Sequence, residues 1–413
     1  MSKLIGNAVV GQSGGPTAAI NATLAGVIEG ALASECIETL YGMRNGIEGL
    51  LEDRLVDLSE RFKGGEGLET LKQTPAAALG SCRKKLPSPT SSEKKDVELY
   101  ERLVSVLRQH NIRYFFYIGG NDSMDTVAKL SEYVRLHPEY EIRVIGVPKT
   151  IDNDLAETDH APGYGSAAKF IATVMQEIMR DCAVYTVKAV TIVEIMGRDA
   201  GWLTAAAGVG GAVGGMTPDA IYLPERDFSM EQFYSDVEKA LEKHPNVVIA
   251  LSEGIRFSDG RYVGESPVAG KDAFGHVRLS GAAKNLEVAV KEKFGCKVRS
   301  VELNLPQRCG GHILSATDIK ESCLIGRTAV ETAASGASGE MMIFARESSA
   351  PYKCVVTHKA VSEIANEVNN VPDAYINAEG NGITAGCIEY ILPLIEGEVA
   401  VEYQGGIPKH IVI

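Results

Sequence analysis

Tyr117-Ile118-Gly119-Gly120-Asn121-Asp122-Ser123 and, about thirty residues on, Pro148-Lys149-Thr150-Ile151-Asp152-Asn153-Asp154 decide the fold. Each closes an apolar run: Tyr114-Phe115-Phe116-Tyr117-Ile118 before the first, Arg143-Val144-Ile145-Gly146-Val147 before the second. Continuous apolar runs of this length read as strands buried on both faces, as in a parallel sheet. The polar groups therefore sit at strand C-terminal ends, where ligands bind in open α/β sheets. The first stretch offers glycine backbone that a phosphate can approach, then a helix start at Ser123. The second offers two carboxylates flanking an amide, with a lysine just before. A phosphate cradle, carboxylates and a lysine together point to phosphoryl transfer.

Outward from these stretches the pattern repeats. Ile5–Val10 reads as a strand leading into Gly11-Gln12-Ser13-Gly14-Gly15-Pro16-Thr17 and a helix from about Ala18 to Ser34. That glycine-rich turn suits an anion, and equally suits an ordinary tight connection. Thr39–Leu51, with three glycines, reads as flexible. Leu79-Gly80-Ser81-Cys82-Arg83 is a second small-residue turn ending in a cation, and Lys84–Asp96 reads as a surface loop. Helices are expected over Val97–His110, Ser123–Leu136 and Gly163–Arg180. A strand at 189–195 ends in Met196-Gly197-Arg198-Asp199. Strands at Ala220–Leu223, Asn246–Leu251 and Val298–Leu303 alternate with helices, and the strand at Asn246–Leu251 leads to Ser252-Glu253-Gly254. Phe257–His276 reads as an insertion, a lid or hairpin, with His276 a weak lid candidate. Glu398–Tyr403 alternates as an edge strand would. Alternating strands and helices imply α/β architecture with doubly wound, mostly parallel sheets, divided into two domains.

Composition narrows the class. A net charge of −13 over 413 residues argues against nucleic-acid binding, which leaves a basic face. The eight cysteines are scattered without a CxxC pair, which favours free thiols in a reducing cytoplasm. No apolar run reaches the ~18 residues of a membrane span, and the N-terminal residues lack a signal-peptide pattern. A cytoplasmic protein with no membrane partner is expected.

Several of these motifs, in this order, resemble the phosphofructokinase family. They are Ser13-Gly14-Gly15, Leu79-Gly80-Ser81-Cys82-Arg83, Gly119-Gly120-Asn121-Asp122-Ser123, Thr150-Ile151-Asp152-Asn153-Asp154, Met196-Gly197-Arg198, Glu253-Gly254 and Gln307-Arg308. The resemblance implies two α/β domains with the active site in the cleft between them. It implies magnesium-dependent phosphorylation of the 1-hydroxyl of fructose 6-phosphate. Residues 1–163, with about 308–355 returning, would form the donor domain, and 164–307 with about 356–413 the sugar-phosphate domain. Members with Asp and Lys at the positions of Asp122 and Lys149 use pyrophosphate, reversibly, whereas ATP-using members usually carry glycine at both. A carboxylate at Asp122 would repel a nucleotide's α-phosphate, and Lys149 would attract a small, highly charged donor.

By the same resemblance Asp152 is the general base, with Lys149, Asp122 and Arg198 completing the catalytic set. Thr150, Asp154, Met196, Gly197, Arg198, Glu253, Arg299 and Arg308 would bind sugar phosphate, Arg308 through its forked guanidinium. Gly15, Arg83, Gly119, Gly120, Ser123 and Lys149 would bind the donor. Asp122 and Asn121 would hold Mg2+, although Asn121 stands where relatives commonly carry Asp. Arg299 matches an arginine that in relatives reaches a neighbouring subunit's sugar phosphate, so a homodimer or homotetramer is expected. Ala189 and Leu305 replace a second such arginine and a His or Tyr, which leaves a seven-carbon phosphosugar open as acceptor. Two alternatives remain: ATP as donor, and a non-catalytic phosphosugar-binding subunit, against which the intact Asp152 and Arg198 weigh.

Overall fold

The computed structural model describes residues 4–265, 281–364 and 367–413. His276 and the whole second half of the expected insertion Phe257–His276 lie outside them. Strands β1 (Gly6–Gln12), β2 (Ile37–Met43), β3 (Leu55–Asp57), β4 (Ile112–Gly119) and β5 (Arg143–Pro148) begin a first sheet. Strands β6 (Ala189–Ile195), β7 (Ala220–Tyr222), β8 (Asn246–Ser252) and β9 (Lys297–Glu302) form a second, in the order β7-β8-β6-β9, all parallel. The chain then returns to the first sheet with β10 (Glu340–Ser349) and β11 (Tyr352–Ala360), giving seven strands in the order β11-β10-β5-β4-β1-β2-β3. Within this sheet, of the described strands, the two edge pairs β2–β3 and β10–β11 are antiparallel and the rest parallel.

The apolar run of β4 shows why it lies centrally. Tyr114, Phe116 and Ile118 enter the core on one face, and Phe115 and Tyr117 enter the core on the other. Helices cover both faces, as the two-residue period of a doubly buried strand requires. β6 does the same in the second sheet, with Val190 and Ile192 opposite Val193 and Ile195.

The return to the first sheet depends on two helices, Ile20–Ala33 and Ala316–Ser335, that pack at backbone contact. A Cβ on Gly26 would fall 2.0 Å from the Cys323 carbonyl oxygen, and one on Gly326 would fall 2.2 Å from that of Thr23. Register does the rest for the site. Gln12 pairs with Ile118, and Gly119 with Pro148, so the loops after β1, β4 and β5 emerge side by side.

Beyond β11 the chain changes sides twice. Val371, Ile376, Cys387, Tyr390, Ile391 and Leu394 join the core between the second sheet and its helices. Val399 and Val401 then pack on Ala18, Ala19 and Ala22, and Ile411 and Ile413 pack against the first core. Three local expectations fail. Glu398–Tyr403 does not run as a strand: its alternation packs Val399 and Val401 against the cluster of Ala18, Ala19 and Ala22, and a short antiparallel ladder begins only at Tyr403, pairing Tyr403–Gln404 with Ile407–Pro408. Thr39–Leu51 is ordered as most of β2 and the helix Gly46–Leu51, largely buried. Lys84–Asp96 is not wholly a surface loop, since Leu86 is 2% exposed and Lys85 enters the cleft.

Gly326→Ala is expected to cost about 1–3 kcal/mol of stability, because the helix pair cannot part without disturbing the core. Urea unfolding reads this loss, and substrate KM should be unchanged.

Candidate active site

The two sheets face one another across a cleft of about 500 Å³. From the first sheet come Gly14 and Gly15 after β1, Gly120, Asn121, Asp122 and Ser123 after β4, and Lys149, Thr150, Asp152 and Asp154 after β5. Arg83 and Lys85 arrive from the connection before β4, and Arg198, Asp199 and Glu253 from the second sheet. Gly119 is required by close approach, since a Cβ there would meet Ser123 Oγ at 2.0 Å.

Lys149 is the electrostatic centre. It is 3% exposed, and its Nζ donates to the Gly15 carbonyl at 2.6 Å. Burial pulls its pKa down to about 8; the Asp152 and Asp154 carboxylates oppose that, and Arg308 and Arg83 add to it. Asp152 moves the other way, up to about 7, through burial first and then the charges of Asp154 and Glu253, with Lys149 and Arg198 pulling it down. Asp154 is likewise raised, mainly by burial, and so is Glu253. A carboxylate poised near neutrality beside a cation that can still be charged there is an acid–base pair suited to proton abstraction at physiological pH.

The turn carrying these carboxylates is tied to itself, with Thr150 Oγ1 accepting from the Asp152 N–H at 3.1 Å. On the opposite wall the Glu253 Oε1 accepts from the Gly197 N–H at 3.4 Å, and Gln307, 1% exposed, accepts from the Met196 N–H at 3.1 Å. Gln307 thereby fixes the loop carrying Arg198. Met196 and Glu253 also line a small adjoining cavity of about 50 Å³ with Glu194, Glu302 and Asn304. Arg198 Nε is buried without a hydrogen-bond partner among the described residues.

The phosphofructokinase family model matches residues 7–333. The chain belongs to the phosphofructokinase family. It is 41% identical to the pyrophosphate--fructose 6-phosphate 1-phosphotransferase of Xanthomonas campestris, covering 98% of this chain and 96% of that protein. It is 39% identical to the protein of the same name in Methylococcus capsulatus, with the same coverage. It is 32% identical to a sulfofructose kinase of Alkalicoccus urumqiensis over 89% of this chain and 91% of that one. Among solved structures, the pyrophosphate-dependent phosphofructokinase of Nitrosospira multiformis superposes with a TM-score of 0.88 at 37% identity, covering 98% of this chain and 96% of that one.

Within this phosphofructokinase cleft the expected residues divide. Gly15, Arg83, Gly120, Asp122, Ser123, Lys149, Thr150, Asp152, Asp154, Arg198 and Glu253 converge. Arg308 lies against the first-sheet loops: a Cβ on Gly15 would be 3.6 Å from its Nη1. Asn121 is turned aside, its Nδ2 donating to the Glu367 carbonyl at 3.2 Å and its Oδ1 buried. Arg299 is elsewhere. It lines a groove with Tyr185, Val187 and Ala189 near the N-terminal ends of β6 and β8, and its guanidinium lies 3.8 Å from Asp181. Lys85, missed from sequence, pairs with Asp122 at 2.8 Å. Its one legible signal was its place two residues after Arg83. Val368, on the same wall as Asn121, carried no signal at all.

Asp152→Asn should lower kcat by roughly 10²–10⁴-fold with KM little changed. In the native enzyme kcat/KM should rise as pH passes about 7, where Asp152 ionises, and fall above about 8, where Lys149 loses its proton. An acid limb near the ordinary carboxylate range would contradict the Asp152 assignment, and a basic limb near the ordinary lysine range the Lys149 one.

Proposed function

We propose that this phosphofructokinase transfers a phosphoryl group from pyrophosphate to the 1-hydroxyl of fructose 6-phosphate, and back. The observation that carries the donor is the pairing of Asp122 with Lys85 at one wall of the cleft that Lys149 floors. A carboxylate there disfavours a nucleotide's α-phosphate. Lys149, Lys85, Arg83 and Arg308 offer positive charge to a donor with no adenosine to contribute binding. The names of the relatives at 39% and 41% identity support the same donor and acceptor. Reversibility follows from pyrophosphate's smaller driving force than that of ATP.

Asp152 takes the proton of the attacking 1-hydroxyl, and its raised pKa matches it to that task. Lys149 and Arg198 stabilise charge on the moving phosphoryl group, and Glu253 orients sugar hydroxyls. Magnesium fits the hard oxygen donors of the cleft. Among the described residues no group of three or more His, Cys, Asp or Glu is arranged to hold a metal ion. Magnesium is commonly held by one or two carboxylates beside substrate phosphates and water. Asp122 and Asp154 would hold it, where it neutralises donor charge. Asn121, turned to Glu367, would reach it only through water.

Arg299 serves the sugar 6-phosphate of a neighbouring copy in this reading. The exposed Val184, Tyr185 and Val187 beside its groove form the apolar face that such a copy would cover, giving a homo-oligomer. Val187→Glu should then shift the sedimentation coefficient toward monomer and raise KM for the sugar phosphate. An unchanged assembly would count against that surface. The eight unpaired thiols fit a reducing cytoplasm.

Assays with pyrophosphate and with ATP, each with magnesium and with fructose 6-phosphate or sedoheptulose 7-phosphate, test the function. Turnover with pyrophosphate is expected, and turnover with ATP alone would overturn the donor assignment. Asp122→Gly should reduce discrimination against ATP by roughly tenfold or more, ~1.4 kcal/mol.

A further inference from the structure

The peptide between Asp152 and Asp154 is held from outside its own loop. Asn153 is 1% exposed and has φ of 55°, a left-handed conformation that asparagine tolerates better than most residues. Its Oδ1 accepts from the Ala161 N–H at 2.9 Å, and its Nδ2 donates to the Tyr390 hydroxyl at 2.8 Å. That hydroxyl donates in turn to the Asp159 carbonyl at 2.6 Å. The Tyr390 ring is itself fixed, with the Arg346 guanidinium 4.6 Å from its centroid and the Trp202 ring at 4.9 Å. Arg346 is ion-paired with Asp159 at 2.9 Å.

A second hold comes from Asn369. Its N–H donates to the Asp154 carbonyl at 2.9 Å and its Nδ2 to the Asn153 carbonyl at 3.2 Å, while its own carbonyl accepts from the Trp202 indole at 2.8 Å. Tyr390 and Asn369 both lie beyond residue 333, where the family match ends. The C-terminal segment therefore clamps a loop whose chemistry lies within the matched part. Removing the hydroxyl takes away the partner of the buried Asn153 Nδ2, which is costly for a buried donor.

We propose that Tyr390 is a positioning residue for phosphoryl transfer: through Asn153 it fixes the backbone that aims the Asp152 and Asp154 carboxylates into the cleft. This rests on the reading of Asp152 as the base. It predicts an effect on the chemical step rather than on binding, because small displacements of a catalytic group are costly in rate.

Tyr390→Phe keeps the ring and its stacking and deletes one hydroxyl. Steady-state kinetics should show kcat reduced roughly 10- to 100-fold, with KM for both substrates within about twofold of the native values. Asn153→Gly keeps the left-handed backbone and removes both side-chain bonds, and should lose at least as much. The double variant should be no slower than Asn153→Gly, since the hydroxyl acts through Asn153. Native-like kcat in a folded Tyr390→Phe enzyme, or losses that multiply in the double variant, would overturn the proposal. Should Tyr390→Phe not fold, Asn153→Gly decides alone, and unchanged kcat there would overturn it as well. The native enzyme in the same assays separates the two readings. No native turnover with any donor defeats the functional reading and this inference with it. Native turnover that Tyr390→Phe retains defeats only the inference.

Discussion

Lys149 is buried among carboxylates and arginines, and the rest of the cleft is arranged around the cost of putting it there. An unpaired ammonium in a protein interior is expensive, so the chain surrounds it with the Gly15 carbonyl, Asp152 and Asp154. The same burial lifts Asp152 toward neutrality. Burial thus acts on the two neighbours in opposite senses, drawing the ammonium down and the carboxyl up until both titrate near neutrality.

That arrangement needs both sheets. The β1–β4–β5 register brings three glycine- and acid-bearing loops together, and the second sheet contributes Arg198 and Glu253 from its own strand ends. The C-terminal chain ties the two halves together. It runs from the first sheet past Asn121 and Asp154, into the second core at Tyr390, and back onto the Ile20–Ala33 helix. Glu225 adds a tie of the same kind, accepting from the N–H groups of Gly201 and Val371 at 2.8 and 2.9 Å.

The fold and the Thr150–Asp154 string that lines the cleft were legible because their signals are local. Apolar runs mark buried strands, and the Thr150–Asp154 string sets its hydroxyl and carboxylates within five consecutive residues. The residues that escaped notice act across the fold. Lys85 looked like one of several loop lysines until its partner Asp122 was seen beside it. Asn121 stands in the cradle by position, yet its amide is turned by the Glu367 carbonyl, 246 residues away in sequence. Tyr390 sat in a short apolar helix with nothing to connect it to Asn153. The alternation at Glu398–Tyr403 was real, but it records packing of Val399 and Val401 on a helix and not pairing in a sheet.

The electrostatic centre is most directly tested by following the Asp152 carboxyl carbon by 13C NMR across a pH titration, with Asp152→Asn for assignment. A titration near pH 7 is expected, and it should move higher still in Lys149→Met, where the neighbouring positive charge is gone. A titration close to the ordinary 3.8, indifferent to Lys149, would contradict the view that burial of this pair sets the chemistry of the cleft.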